Sequence, residues 1–219
     1  MQMEIGLSAE KARFMAERWP SHYGTLYDMG IVAWERLFTH RPDLKKHFDF
    51  LEIDPTSMWK EDERIRKMVL SLQQLLTEAV NTLGYGEPDD LPTFCTTLRE
   101  LGGLHRAIVP KLNPEAFTLI FAILPEVIVD VTSHRCKTGP LSTEDRNELI
   151  SIWRTVTRFM ANQVMTGWER LKFPTATSKY LKSYNERCPH SVSSAAVCTS
   201  PNPALPGFVP DNYRPVSSQ

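Results

Sequence analysis

The stretch LRELGGLHRAIVPKL, residues 98–112, sets a single histidine, His105, after two glycines and before a proline. Its immediate neighbours admit two readings. His105 is either a solvated imidazole in a glycine-rich turn, or a residue near the end of a helix with the Leu101 carbonyl one turn back, within reach of its outer ring nitrogen. The choice depends on whether helices surround the stretch.

They do on both sides. Upstream, Ile65, Met68, Val69, Leu72, Leu75, Leu76, Ala79, Val80 and Leu83 form one apolar stripe at helical spacing, about five turns long. Downstream, Asn113 followed by Pro114 is a favoured helix start, because Asn caps and Pro is preorganised for the first turn. The helix it opens, through about Val131, is apolar nearly all round, with Pro125 inside it expected to kink it or to remove a hydrogen bond. A second long stripe runs Leu149, Ile152, Trp153, Val156, Phe159, Met160, Val164, Trp168, Leu171, with Ser142 and Asp145 as an approximate capping box behind Gly139-Pro140. Leu7 to Trp19 and Thr25 to His40 give two more helices. No strand alternation and no Asn-Gly or Asp-Gly hairpin occurs. The fold class is therefore all-α, with seven or eight helices counting short ones.

Composition sets the outer limits. The 219 residues carry 25 basic and 26 acidic side chains, a net charge of −1, so there is no general electrostatic case for nucleic acid or an anionic membrane. The run AFTLIFAILPEVIVDV, interrupted by Pro125, Glu126 and Asp130, reads as a buried helix too short to span a bilayer. The N-terminus has no signal-peptide core, and a cytoplasmic location is expected. Cys95, Cys136, Cys188 and Cys198 lie far apart without CxxC spacing, which argues against a zinc site or disulfide framework and fits reduced, structural thiols. From Phe173 to Gln219 the chain is rich in Ser and Pro and poor in periodic apolar residues. It reads as a disordered tail, so the expected domain is residues 1–172.

No internal period appears, so a repeat solenoid is excluded, leaving a bundle or a fold wrapped on a cofactor. An iron porphyrin needs one neutral imidazole held rigidly and apolar walls that exclude water, and LRELGGLHRAI offers such an imidazole. Four pieces, this stretch among them, stand in order along the chain: VAWERLFTHRPDLKKHFDF, ERIRKMVLSLQQLL, LRELGGLHRAIVPKLNPEAF and NELISIWRTVTRFMANQVMTGWERL. In this order they resemble the globins over about residues 7 to 172, most closely the neuroglobin-like branch with its divergent, nematode-type relatives.

The resemblance implies a haem pocket and its residues. His105 matches the proximal iron ligand, and Leu101 a haem-packing leucine before it. Ile108, Pro110 and Phe117 match residues lining the same side. Phe48 matches the corner phenylalanine that packs on haem, Trp34 the position that leans over bound gas, and Met68 the apolar residue flanking the ligand. Arg64 falls where most globins have a distal His or Gln, and Lys67 could pair with a propionate. His47 could also reach one; His22, His40, His134 and His190 have weaker claims. The stripe places Arg64 with Ile65 and Met68 inward, whereas a register one turn later would bury Gln73. The 41 residues from Arg64 to His105 are more than the family usually has, so either NTLGYGEPDDLP is an enlarged loop or the distal register lies one turn off. Without a distal histidine, a five-coordinate or water-ligated iron is expected, because an arginine stays protonated and offers no lone pair.

The function so implied is binding of haem b and a diatomic gas, oxygen or nitric oxide, or one-electron redox chemistry such as nitrite reduction. The alternative is a haem-free helical sensor or interaction module, in which Gly102-Gly103 merely breaks a helix. No acid pair or Cys/His motif supports a conventional enzyme.

Overall fold

The computed structural model describes residues 5–48, 57–87, 89–133 and 141–170. The expected tail and the cysteines beyond Cys95 lie outside the described residues, as do His134, His190 and Phe50. Among the described residues every regular element is helical. They are α1 (Ala9–Glu17), α2 (Tyr23–His40), a 3-10 segment (Pro42–His47), a second (Ser57–Glu61), α3 (Glu63–Gly84), α4 (Asp90–Ile108), α5 (Glu115–Ser133) and α6 (Thr143–Arg170).

The helix starts follow the local chemistry of the sequence. Ser8 Oγ accepts from the Lys11 amide at 3.3 Å to open α1, and Ser142 Oγ accepts from the Asp145 amide at 3.0 Å to open α6. Asn113 Oδ1 accepts from the Glu115 amide at 2.9 Å ahead of α5. Each satisfies a donor that the first helical turn would otherwise leave without a partner.

The helices pack around one continuous core. α6 lies against both α4 and α5, α5 crosses α2, and α1 and α2 both rest on α3. Trp153, Phe94, Ile65, Leu76, Leu98, Leu124, Ile128 and Met160 are fully buried within it. By length and hydropathy α5 alone would suffice to cross a bilayer, contrary to the expectation from its interrupting residues. Here its apolar surface is covered by α2 and α6, and it continues through buried Pro125 without ending.

Two glycines set the distance between α4 and α6. A Cβ on Gly102 would stand 1.9 Å from the Val164 carbonyl oxygen, and one on Gly167 would stand 1.8 Å from the Arg99 carbonyl oxygen. The backbones of the two helices therefore touch at reciprocal positions. Separation between packed helices is set by the side chains at the crossing, and here there are none. The Gly102-Gly103 pair is thus neither a turn nor a helix break; both residues are buried inside α4.

Two other expectations are corrected. The connection between α3 and α4 is short, running from Tyr85 to Asp89, because both helices extend into NTLGYGEPDDLP. The long spacing ahead of His105 is taken up by helix. And Gln73, which the stripe was read as keeping out of the core, is 4 % exposed.

A charged hub ties the upper ends of three helices. Asp130 of α5 accepts from Arg36 of α2 at 2.8 Å and from Arg146 of α6. Partial burial by itself would push the Asp130 carboxyl up; the hydrogen bonds from Arg36 and Arg146 outweigh it and hold the group below its ordinary value. A carboxylate depressed in the folded state contributes stability above its unfolded pKa of about 3.9 and loses that contribution as pH falls further. Asp130→Asn is expected to lower stability by about 1 kcal/mol at neutral pH, since the groups are partly solvated. In urea melts the difference from the parent chain should shrink below pH 4, and a constant difference across pH would contradict the assignment.

Candidate functional site

The last turn of α4 carries His105. Its Nδ1 lies 2.9 Å from the carbonyl oxygen of Leu101, four residues earlier in the same helix. That oxygen can only accept, so Nδ1 bears the proton and Nε2 keeps its lone pair. The residue is half-buried overall, yet enough protein packs round the ring that desolvation lowers its pKa, with the Leu101 hydrogen bond opposing in part. The result is a neutral imidazole with one nitrogen fixed and the other available.

Three helices converge on that ring. Phe117, in the first turn of α5, stands perpendicular to the imidazole with centroids 5.0 Å apart and planes at 85°. Trp168, in the last turn of α6, packs on Phe117 at 5.5 Å. Arg106, next to His105, donates from Nη1 to the Trp168 carbonyl at 2.6 Å. The arrangement depends on the glycine crossing: Gly102 sits one turn before His105, and Gly167 immediately precedes Trp168.

A second group forms where α2 ends. Trp34 packs on Phe38 at 5.6 Å and edge-on to Phe48 at 5.9 Å, and Phe38 meets both Phe48 and Trp59 at right angles. The indole Nε1 of Trp34 is buried without a hydrogen-bond partner among the described residues. By contrast, Trp19 Nε1 donates to Thr77 Oγ1 at 3.3 Å. A buried N–H normally finds an acceptor, so the Trp34 donor is one a bound acceptor would satisfy.

The sequence-derived site is therefore only partly assembled. Leu101, His105 and Phe117 form one group with Trp168, and Trp34 and Phe48 form another with Phe38 and Trp59; both rest on the common core. Met68 is buried on the inner face of α3, as expected. Ile108 is half-buried at the last residue of α4, whereas Pro110 is exposed.

Arg64 and Lys67 do not point inward. Asp62 caps α3 by accepting from the Arg64 amide at 2.8 Å, and the same carboxylate grips the guanidinium, with Nε to Oδ1 at 2.9 Å and Nη2 to Oδ2 at 2.7 Å. The pair sits at the exposed first turn, and its hydrogen bonds hold the Asp62 carboxyl below the ordinary range. Lys67 pairs with Glu63 one turn earlier, on the exposed side of the same helix, at 2.8 Å. The inward face of α3 carries instead Ile65, Met68, Val69, Gln73 and Leu76.

Gln73 is the residue that sequence reasoning missed. Its Nε2 is buried and has no hydrogen-bond partner among the described residues. An amide on an apolar stripe is the signal that could have found it; it was discounted because hydrophobic patterning treats such a residue as an error of register.

The residues fit an iron porphyrin in their chemistry: one neutral imidazole with a free nitrogen, aromatic walls, and a buried unsatisfied donor at Trp34. The model for the globin family matches residues 31–141, just over half of the chain, from within α2 to the residue before the Ser142 cap. No curated protein and no solved structure matches the chain. With the helical order above and the family match spanning His105 and its surroundings, this chain belongs to the globin family.

Proposed function

We propose that this globin binds haem b through His105 Nε2 and takes a diatomic gas, oxygen or nitric oxide, or a single electron at the iron. One observation carries the reading: the Leu101 carbonyl holds Nδ1–H, which leaves the Nε2 lone pair of a neutral imidazole for a metal. When bound, haem supplies an iron that takes up a diatomic ligand and exchanges one electron. The chain orients the imidazole with Leu101 and Phe117, excludes water with the aromatic group at Phe48 and Trp34, and offers the Trp34 N–H to an acceptor in the pocket. No histidine occurs anywhere in α3, so a bis-histidyl iron has no partner on that helix. A five-coordinate or water-ligated iron is the state this favours.

A second reading has one observation behind it. Two open clefts of ≈ 660 and ≈ 520 Å³ are lined by Ala9, Arg13, Phe14 and Tyr85, and by Arg36, Phe38, Lys45 and Trp59; neither includes His105. That distribution suits a haem-free interaction module. Titrating haem into the purified full-length chain separates the two. A saturable Soret band at one haem per chain, with a high-spin ferrous spectrum, is expected; a chain that stays colourless would overturn haem binding, and a low-spin bis-imidazole spectrum would overturn the coordination.

A further inference from the structure

The aromatic neighbour of His105 is itself packed against a residue more than sixty positions later in the chain than the histidine. Trp168 is 8 % exposed, packs on Phe117 at 5.5 Å, and Phe117 packs at right angles on the imidazole at 5.0 Å. A second connection runs through the backbone. Arg106 Nη1 donates to the carbonyl oxygens of Trp168 at 2.6 Å and Glu169 at 3.4 Å. The glycine contacts remove all slack between the two helices, since Gly102 meets Val164 and the Trp168 amide nitrogen while Gly167 meets Arg99. Arg99 Nε adds a bond to Gln163 Oε1 at 2.8 Å on the same face.

A single hydrogen bond to Leu101 does not hold the ring by itself: an imidazole free to swing loses alignment with the carbonyl, and with it the preference for one tautomer. A perpendicular aromatic neighbour removes the remaining freedom, because ring pairs of this kind have a preferred geometry. Phe117 is half-buried and packs in turn on Trp168.

We propose that Trp168 is a positioning residue for His105: through Phe117 and the Arg106 clamp, the last turn of α6 sets the rotation of the imidazole about its Leu101 hydrogen bond. This rests on His105 as the iron ligand for its functional consequence, but the positioning itself belongs to the haem-free protein. It makes the end of α6 an input to the ligand, so that a displacement there changes how Nε2 is presented.

The test uses the full-length chain with ¹⁵N-labelled imidazoles, without haem, at neutral pH, where nitrogen shifts report the tautomer. The parent chain is expected to show His105 as a single Nδ1–H species. Trp168→Leu and, independently, Phe117→Leu should convert it to a fast-exchanging mixture of tautomers, and Trp168→Phe, which restores a ring, should return most of the single species. Trp153→Leu is the control, a fully buried tryptophan on the same helix that packs on Trp19 instead. It is expected to lower stability and leave the His105 signal unchanged. In haem-loaded protein the ferrous iron–histidine stretching band should shift in the Trp168 and Phe117 variants only. An unaltered His105 tautomer in folded Trp168→Leu or Phe117→Leu, or an equal change in Trp153→Leu, would overturn the positioning role. Failure to bind haem, with the tautomer effect present, would overturn the proposed function and leave this inference standing.

Discussion

Gly167→Ala is expected to lower the melting temperature by roughly 10 °C, although the substitution adds a better helix former to a helix interior. Taken alone, the change to alanine would favour the helix by about 1 kcal/mol. The new Cβ, however, lands 1.8 Å from the Arg99 carbonyl oxygen and 2.6 Å from the Arg99 Cα. No rotamer relieves this, because both partners are backbone. α4 and α6 must separate, which breaks the Gly102–Val164 contact and disturbs the Arg106 clamp. Overpacking that only backbone movement relieves costs about 4 kcal/mol, above the usual range; with the helix gain subtracted about 3 kcal/mol remains, and at about 2–4 °C per kcal/mol for a domain of this size the melting shift follows. Gly102→Ala should behave alike, and the double variant should cost less than the sum, since one separation relieves both clashes. Thermal melts followed by circular dichroism measure this; an unchanged or raised midpoint for Gly167→Ala would contradict the backbone contact.

His105→Gly is expected to weaken haem affinity by at least about 100-fold, the upper end of what removing an outer-shell partner of a metal ligand costs. The vacated space should accept free imidazole, and added imidazole should restore the parent spectrum if Nε2 alone is what the residue supplies. Rescue by imidazole distinguishes lost ligation from lost folding, because an unfolded chain would not respond. The same residue predicts a pH dependence. Its pKa is lowered in the folded state, chiefly by burial. A group with a depressed folded pKa contributes stability that is present above its unfolded value, about 6.5 for histidine, and is lost as pH falls below it. The stability of the haem-free chain should therefore decline below about pH 6.5, while the folded chain keeps its imidazole neutral to a lower pH. His105→Gln should flatten the stability profile in that range, and a profile as steep as the parent's would show another group responsible.

Much of this was legible in the sequence because it is local. Helical periodicity reports which face of a segment is buried, and the caps at Asn113 and Ser142 act across two or three residues. The Leu101 carbonyl was expected within reach of His105 because four residues is one helical turn, and the hydrogen bond is found at 2.9 Å. Arg64 failed for an equally local reason that the stripe concealed. A carboxylate at the N-cap both accepts from the backbone and competes for the first cation in the helix, and Asp62 does both.

By itself, then, the sequence determined that this protein is helical, where α5 and α6 start, and that the Leu101 carbonyl lies within reach of the outer nitrogen of His105. Only the tertiary structure decided that Gly102 and Gly167 are the contact between α4 and α6, that Gln73 is buried, and that Trp168 packs on Phe117, which packs on the imidazole. The physical reason is separation along the chain. Trp168 lies 62 positions beyond Arg106, and Gln163 64 beyond Arg99, so these pairs exist only once the helices have packed. A glycine reads the same in sequence whether it breaks a helix or lets another helix touch it, and only the neighbour that fills the missing side chain's place tells the two apart.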